Sequence, residues 1–292
     1  MLYEIGLTIT YSYAPTSGPG RHLLRLMPAT LPGRQRLVAG RLAVEPRPAE
    51  ERRWTDFWGN AVTEVAFAGG HARERFRLSA RVEVTAAPPA LDLSAPLVRL
   101  GAELAAQRSL GASAPHHFLG PSDRVRPWAE ATDYARALVA PGMTALAIVQ
   151  AVGQALHRDM RFDAQATTVD TDPAEAFARR HGVCQDFSQI MIACLRGLGV
   201  PAGYVSGFLR TTPPPGRARL AGADAMHAWV RAWCGVETGW VDYDPTNAVM
   251  PGADHIVVAQ GRDYADVAPV RGVLRLAAAA VSTQAVDVLP LP

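Results

Sequence analysis

The chain has 292 residues, 49% of them hydrophobic and 19% charged, with a formal net charge of +2. That length admits two domains, and that apolar content supplies a sizeable core, which excludes a disordered chain. The small net charge excludes an electrostatic argument for a nucleic-acid or membrane-surface partner. Every one of the 29 basic residues is arginine, a usage that points to coding bias.

Residues 1–87 read as β structure. Strands are expected over 2–13, 22–27, 36–45, 61–67 and 75–85, which are rich in branched and aromatic residues and bounded by Gly, Pro and Asn. DFWGN at 56–60 supplies a turn between two of them. The pattern predicts a small antiparallel sandwich. MLYEIGLTITYSY alternates as a strand does and lacks the basic and apolar regions of a signal peptide. No run approaches the length of a membrane span. Cys184, Cys194 and Cys234 offer neither a disulfide framework nor metal-site spacing, so the expected setting is a reducing cytoplasm, without metal or cofactor.

The Ala- and Pro-rich segment 86–96 reads as a linker. Helices are expected over 97–107, 127–140 and 144–160, with Pro141-Gly142 separating the last two. Thr171-Asp172-Pro173 is an N-terminal signature for a short helix, AEAFARR. In HGVCQDFSQIMIACLRGLGV, Phe187, Ile190, Met191, Cys194, Leu195 and Leu198 recur at spacings of three and four. That is a helix beginning near Cys184 with one buried stripe, stopped at Gly199 and Pro201. Beyond Pro201 the period becomes two. Strands are expected over 204–210, 226–234 and 240–243, a proline-rich loop over 211–222, and one or two short strands between 256 and 276. The expected division is a β-rich domain at 1–87, a linker and connecting helix at 88–125, and a second domain at 126–292. The fold class is α+β, with helices packed on an antiparallel sheet.

Cys184 lies where a loop becomes a helix, and free N–H groups at a helix start stabilise a thiolate. In HAWVRAW, His227, Trp229, Arg231 and Trp233 share one strand face; in TGWVDYDPTN, Trp240, Asp242 and Asp244 share another. If the two strands pair through the short 235–239 connection, a carboxylate sits beside the imidazole. Thiol catalysis needs a nucleophile, a base and a group that orients the base; Cys184, His227 and Asp244 supply that set. Asp242 competes with Asp244 for the third role and is otherwise a candidate substrate contact. Gln185 and Asp186 suit the first turn of the helix as capping groups, with Gln185 a further candidate substrate contact. Trp229 is a candidate wall of a substrate groove. Cys194 falls within the buried stripe, and His116-His117 lacks the spacing of a metal site.

G-V-C-Q-D-F, H-A-W-V and D-P-T-N together resemble the transglutaminase-like superfamily, a papain-like group that includes bacterial members described as cysteine proteases. HLLRLMP at 22–28 and DFWGN resemble the β-rich N-terminal region that precedes this domain in bacterial members, and DHIVVAQGRDYADVAPVRG resembles their tail. The resemblance implies a papain-like core, with Cys184 as nucleophile, His227 as base and acid, and Asp244, in preference to Asp242, as the orienting carboxylate. Two features depart from the eukaryotic transglutaminases. The upstream oxyanion Trp has no clear match, Trp128 being the nearest, and no run of carboxylates resembles a calcium loop. The backbone N–H of Cys184 is one oxyanion donor; the second is unassigned. The expected function is hydrolysis of peptide or isopeptide amide bonds in a peptide or protein substrate. Acyl transfer to an amine and a non-catalytic interaction module are the alternatives.

Overall fold

A computed structural model describes residues 1–86, 91–211, 222, 224–274 and 280–292. The expected loop over 211–222, save its two end residues, and the 87–90 part of the expected linker lie outside the described residues.

The N-terminal region contributes β1 (Leu2–Ser12), β2 (Gly20–Leu24), β3 (Gln35–Glu45), β4 (Glu50–Thr55), β5 (Ala61–Phe67) and β6 (Arg73–Val84). Period-two alternation explains the longest of these. Tyr3, Ile5, Leu7 and Ile9 of β1 face inward, as do Phe76, Leu78, Ala80 and Val82 of β6, while Arg77 and Arg81 face water. β4 was not expected. Its sequence EERRWT is exposed throughout and has no inward face to read; pairing with β5 makes it a strand.

Then follow α1 (Leu97–Ala106), a short 3-10 turn at Pro115–Phe118, α2 (Ala129–Arg136), α3 (Ala145–Asp159), β7 (Arg161–Phe162), α4 (Pro173–Arg179), β8 (His181–Gly182) and α5 (Cys184–Gly197). The chain continues with β9 (Ala202–Leu209), β10 (Ala225–Trp233), β11 (Trp240–Tyr243), β12 (His255–Gly261), α6 (Tyr264–Val267), β13 (Val270–Leu274) and β14 (Val281–Leu291).

The N-terminal strands form two four-stranded antiparallel sheets, ordered β14-β1-β6-β3 and β13-β2-β5-β4. Each is completed by a strand from the far end of the chain. β14 runs beside β1 from Leu2–Leu291 to Ser12–Val281, although no strand was expected beyond residue 276. Only Val286 and Val288 of β14 are buried, so this edge strand carries little hydrophobic alternation to read.

The third sheet, β11-β10-β9-β12, is antiparallel throughout. Helix α5 packs on β9 and β10, and α2, α3 and α4 cover its remaining sides. Every residue from Gln185 to Arg196 is therefore buried, where the period alone suggested a single buried stripe. Even Arg196 lies inside, because its guanidinium donates to the carbonyls of Ala202, Gly120 and Arg262 and to Ser122 Oγ. The opposite sheet face is closed by the N-terminal region, where Val205, Trp229 and Val257 pack with Ala29 and Leu31.

Candidate active site

The approach to Cys184 is built by local constraints. Asp172 Oδ1 accepts from the Ala174 N–H at 2.8 Å and caps α4. Arg180 ends α4 in the left-handed region (φ 56°), its guanidinium 4.0 Å from the Phe177 ring centroid. His181 and Gly182 then pair in parallel with β7. A Cβ on Gly182 would stand 2.6 Å from Asp186 Oδ2, so glycine alone lets that carboxyl reach back over the helix start. Asp186 Oδ2 accepts from the Val183 N–H at 2.8 Å and from the Thr167 hydroxyl at 2.6 Å. Burial raises its pKa against these hydrogen bonds. Cys184, half-buried, is the first residue of α5.

His227, buried, is the third residue of β10, and its Nε2 lies 2.7 Å from Asp244 Oδ2. Cys184 is a further neighbour of the ring, and Asn247 Nδ2 lies 3.5 Å from Nε2. Burial opposes a charged ring, but hydrogen bonds and charge from Asp244 and Cys184 outweigh it and raise the pKa to about 10.

Asp244 is fully buried and five donors surround it. Oδ2 accepts from His227 Nε2, from Asn247 Nδ2 at 2.7 Å and from His255 Nε2 at 3.1 Å. Oδ1 accepts from the backbone N–H groups of Thr246 and Asn247 at 2.9 and 3.2 Å, an Asx-type turn. Burial favours the neutral acid, yet the donors, His227 first among them, hold this carboxyl well below its ordinary pKa. Helix α3 braces the segment at two points. His157 Nδ1 lies 2.8 Å from the Thr246 carbonyl oxygen, and Gly153 admits the Tyr243 ring where a Cβ would approach it to 2.1 Å.

The structure thus brings Cys184, His227 and Asp244 together and places the other marked residues elsewhere. Asp242 accepts from Arg34 Nη2 at 2.7 Å and from Trp229 Nε1 at 3.3 Å, so it faces the N-terminal region. Trp229 is wholly buried, and Gln185, also buried, donates to the Val169 carbonyl at 3.1 Å. Trp128 stands edge-on to Phe177, 6.3 Å between centroids, and lines a groove with Arg124 and Asp170. Cys194 and Cys234 are buried, which pushes each thiol up to about 12.

Sequence reasoning missed Asn247 and His255. The first stood in D-P-T-N, where the turn that Asp244 closes with the Thr246 N–H brings the next side chain back onto the carboxylate. The second stands in DHIVVAQGRDYADVAPVRG, the segment that resembles the family's tail, a resemblance that assigned it no role. Among the described residues, His227, Asp244 and His255 are the group able to hold a metal ion, their ligand atoms lying within 4.8 Å of one another. The N–H donors of Asn247, Thr246 and Asn247 again already fill the carboxylate, and a cation there would meet the amide hydrogens of Asn247.

Residues 132–245 match the Transglutaminase-like superfamily, and residues 3–84 match the Bacterial transglutaminase-like N-terminal region. Uncharacterised proteins of Mycobacterium tuberculosis and Mycobacterium bovis are each 34% identical over 276 residues, 90% of this chain and 84% of theirs. One of Mycobacterium leprae is 42% identical over 110 residues, 37% of either chain. The crystal structure of a candidate cysteine protease from Cytophaga hutchinsonii aligns with a TM-score of 0.77 at 21% identity, covering 100% of this chain and 91% of that one. At that identity the likeness concerns the fold.

Proposed function

Because this chain belongs to the transglutaminase-like superfamily and has its papain-like core, we propose that it is a thiol-dependent hydrolase of peptide or isopeptide amide bonds. The observation that carries the reading is the hydrogen bond between His227 Nε2 and Asp244 Oδ2, with Cys184 at the start of α5 a further neighbour of the same imidazole. In this mechanism the Cys184 thiolate attacks the carbonyl carbon. The carbonyl oxygen becomes an oxyanion at the N-terminus of α5, where the Cys184 N–H can donate to it. His227 Nε2 is engaged by Asp244, which leaves Nδ1 as the nitrogen that takes the thiol proton and delivers it to the leaving amine. The acyl-enzyme is a thioester. Water attacks it, giving its proton to His227, and the acid leaves as Cys184 is restored.

Acyl transfer to an amine would use the same three residues and differ only in what attacks the thioester. Hydrolysis is the preferred reading because water needs no dedicated site. A reducing compartment such as the cytoplasm suits three free thiols. Among the described residues no helix is long and apolar enough to cross a membrane.

The test is intact-mass labelling with iodoacetamide at about pH 6.5, below the pKa of an ordinary thiol. One label is expected in the wild type, none in Cys184→Ala and slower uptake in His227→Ala, with Cys194 and Cys234 silent. Peptide and isopeptide substrates, with and without added amine, then separate hydrolysis from transfer. If Cys184 reacts no faster than a free thiol, the proposal has no physical basis.

A further inference from the structure

His255 opens β12 opposite Leu209 of β9 and is about nine-tenths buried. Its ring stands edge-on to Trp229, 5.3 Å between centroids at 84°, and 6.0 Å from the ring of His227. Nε2 points at Asp244 Oδ2, while Nδ1 is buried without a hydrogen-bond partner. That asymmetry selects the tautomer. A proton on Nε2 finds an acceptor in the carboxylate, whereas a proton on Nδ1 would be a buried donor with none. His255 therefore donates through Nε2, and its Nδ1 has no hydrogen-bond partner.

Its backbone is held from both sides. The neighbouring Asp254 carboxylate accepts from the hydroxyl of Tyr3 on β1 at 2.9 Å and from Arg210 at 3.1 Å. Two residues on, the Val257 backbone is bonded to the Gln35 side chain. A ring so fixed serves as a stop for whatever it touches, and it touches the oxygen that His227 uses.

We propose that His255 is a positioning residue of this site: its Nε2–H, aimed at the shared Oδ2, holds the Asp244 carboxylate where His227 needs it. The proposal rests on the thiol-enzyme reading above. With Oδ1 tied to the turn and Oδ2 wedged between two imidazoles and the Asn247 amide, the carboxylate cannot rotate away when His227 gains or loses its proton. An apolar side chain of equal size would fill the same space and leave the carboxylate one fixed donor short. Hydrogen bonds to charged groups are the stronger kind, so the loss should be measurable.

The experiment follows iodoacetamide alkylation of Cys184 in the full chain for wild type, His255→Gln and His255→Leu, from about pH 5 to about pH 10, with thermal unfolding of each. The Gln amide can still donate; Leu matches the volume and cannot. His255→Leu should slow alkylation about tenfold near pH 6, where the thiolate depends on its imidazolium. It should match the wild type near pH 10, where a thiol ionises unaided. His255→Gln should stay within about threefold throughout.

The proposal is overturned by a His255→Leu rate equal to the wild type near pH 6, by a His255→Gln as slow as His255→Leu, or by a slowing of His255→Leu that is the same at every pH. Added zinc ion that slows the wild type but not His255→Gln would overturn it in favour of a metal site. A wild-type Cys184 no faster than a free thiol near pH 6 overturns the thiol-enzyme reading as well. A fast wild type with a fast His255→Leu overturns this proposal alone.

Discussion

Gln35 acts as a strand neighbour to Val257: its Nε2 donates to the Val257 carbonyl at 2.7 Å and its Oε1 accepts from the Val257 N–H at 2.8 Å. β12 is an edge strand, and its register against β9 shifts just after Val257. One amide from the start of β3 thereby satisfies backbone groups that the sheet leaves open. The N-terminal region is thus a wall of the sheet that carries His227 and His255. Gln35→Ala should cost about 2–4 kcal/mol, since the Val257 N–H loses its acceptor and the Ala29 carbonyl its Gln35 donor, while the Val257 carbonyl keeps the Ala29 N–H. Thermal or urea unfolding measures it. A cost below about 0.5 kcal/mol would mean that water or a shifted backbone replaces the amide.

The two carboxylates of β11 and its end separate by partner. Asp244→Asn keeps the shape but loses the anion that holds His227 charged, so Cys184 alkylation near pH 6.5 should fall about 10- to 100-fold. Asp242→Asn breaks a pair with Arg34 on the other side of Trp229, so it should lower stability and leave alkylation within about threefold. The opposite ranking would assign the orienting role to Asp242.

The pKa directions predict a window of stability. His227 is raised to about 10, so its contribution is complete below its unfolded value of about 6.5 and is lost as pH rises through about 10. Asp244 is lowered, so its contribution is present above about pH 4 and lost as pH falls. Urea unfolding from about pH 4 to about pH 10 should therefore show the stability gap between wild type and His227→Gln narrowing above neutrality. A gap that widens toward pH 10 contradicts the assigned shift.

Gly153 predicts a steric result. Its missing Cβ would lie 2.1 Å from Tyr243 Cε1, and Tyr243 directly precedes Asp244. Gly153→Ala improves helix propensity, by about 1 kcal/mol, but forces the ring or the strand to move. Overpacking of this kind costs about 1–3 kcal/mol, so the melting temperature should fall and Cys184 alkylation with it. A raised melting temperature with unchanged alkylation would show that the ring yields freely.

Much was legible in local pattern. Spacings of three and four mark α5, alternation marks β1, β6 and β10, and Asp172-Pro173 marks the start of α4, because each depends on neighbours within a turn or two of chain. β4 escaped notice because its side chains all face water. β14 escaped notice because, as an edge strand, it buries two valines and little else.

The sequence by itself determined the elements with a buried face or a cap, placing Cys184 at a helix start and His227 on a strand, because periodicity and capping are properties of short stretches. Only the tertiary structure decided which carboxylate His227 meets, that His255 shares it, and that strands from the C-terminal end complete the N-terminal sheets. Those outcomes join residues such as Leu2 and Leu291, or Gln35 and Val257, whose distance along the chain leaves no local period to record them. Long-range pairing is set by which buried polar groups find partners once the core closes, and that becomes readable when the folded neighbours are in place.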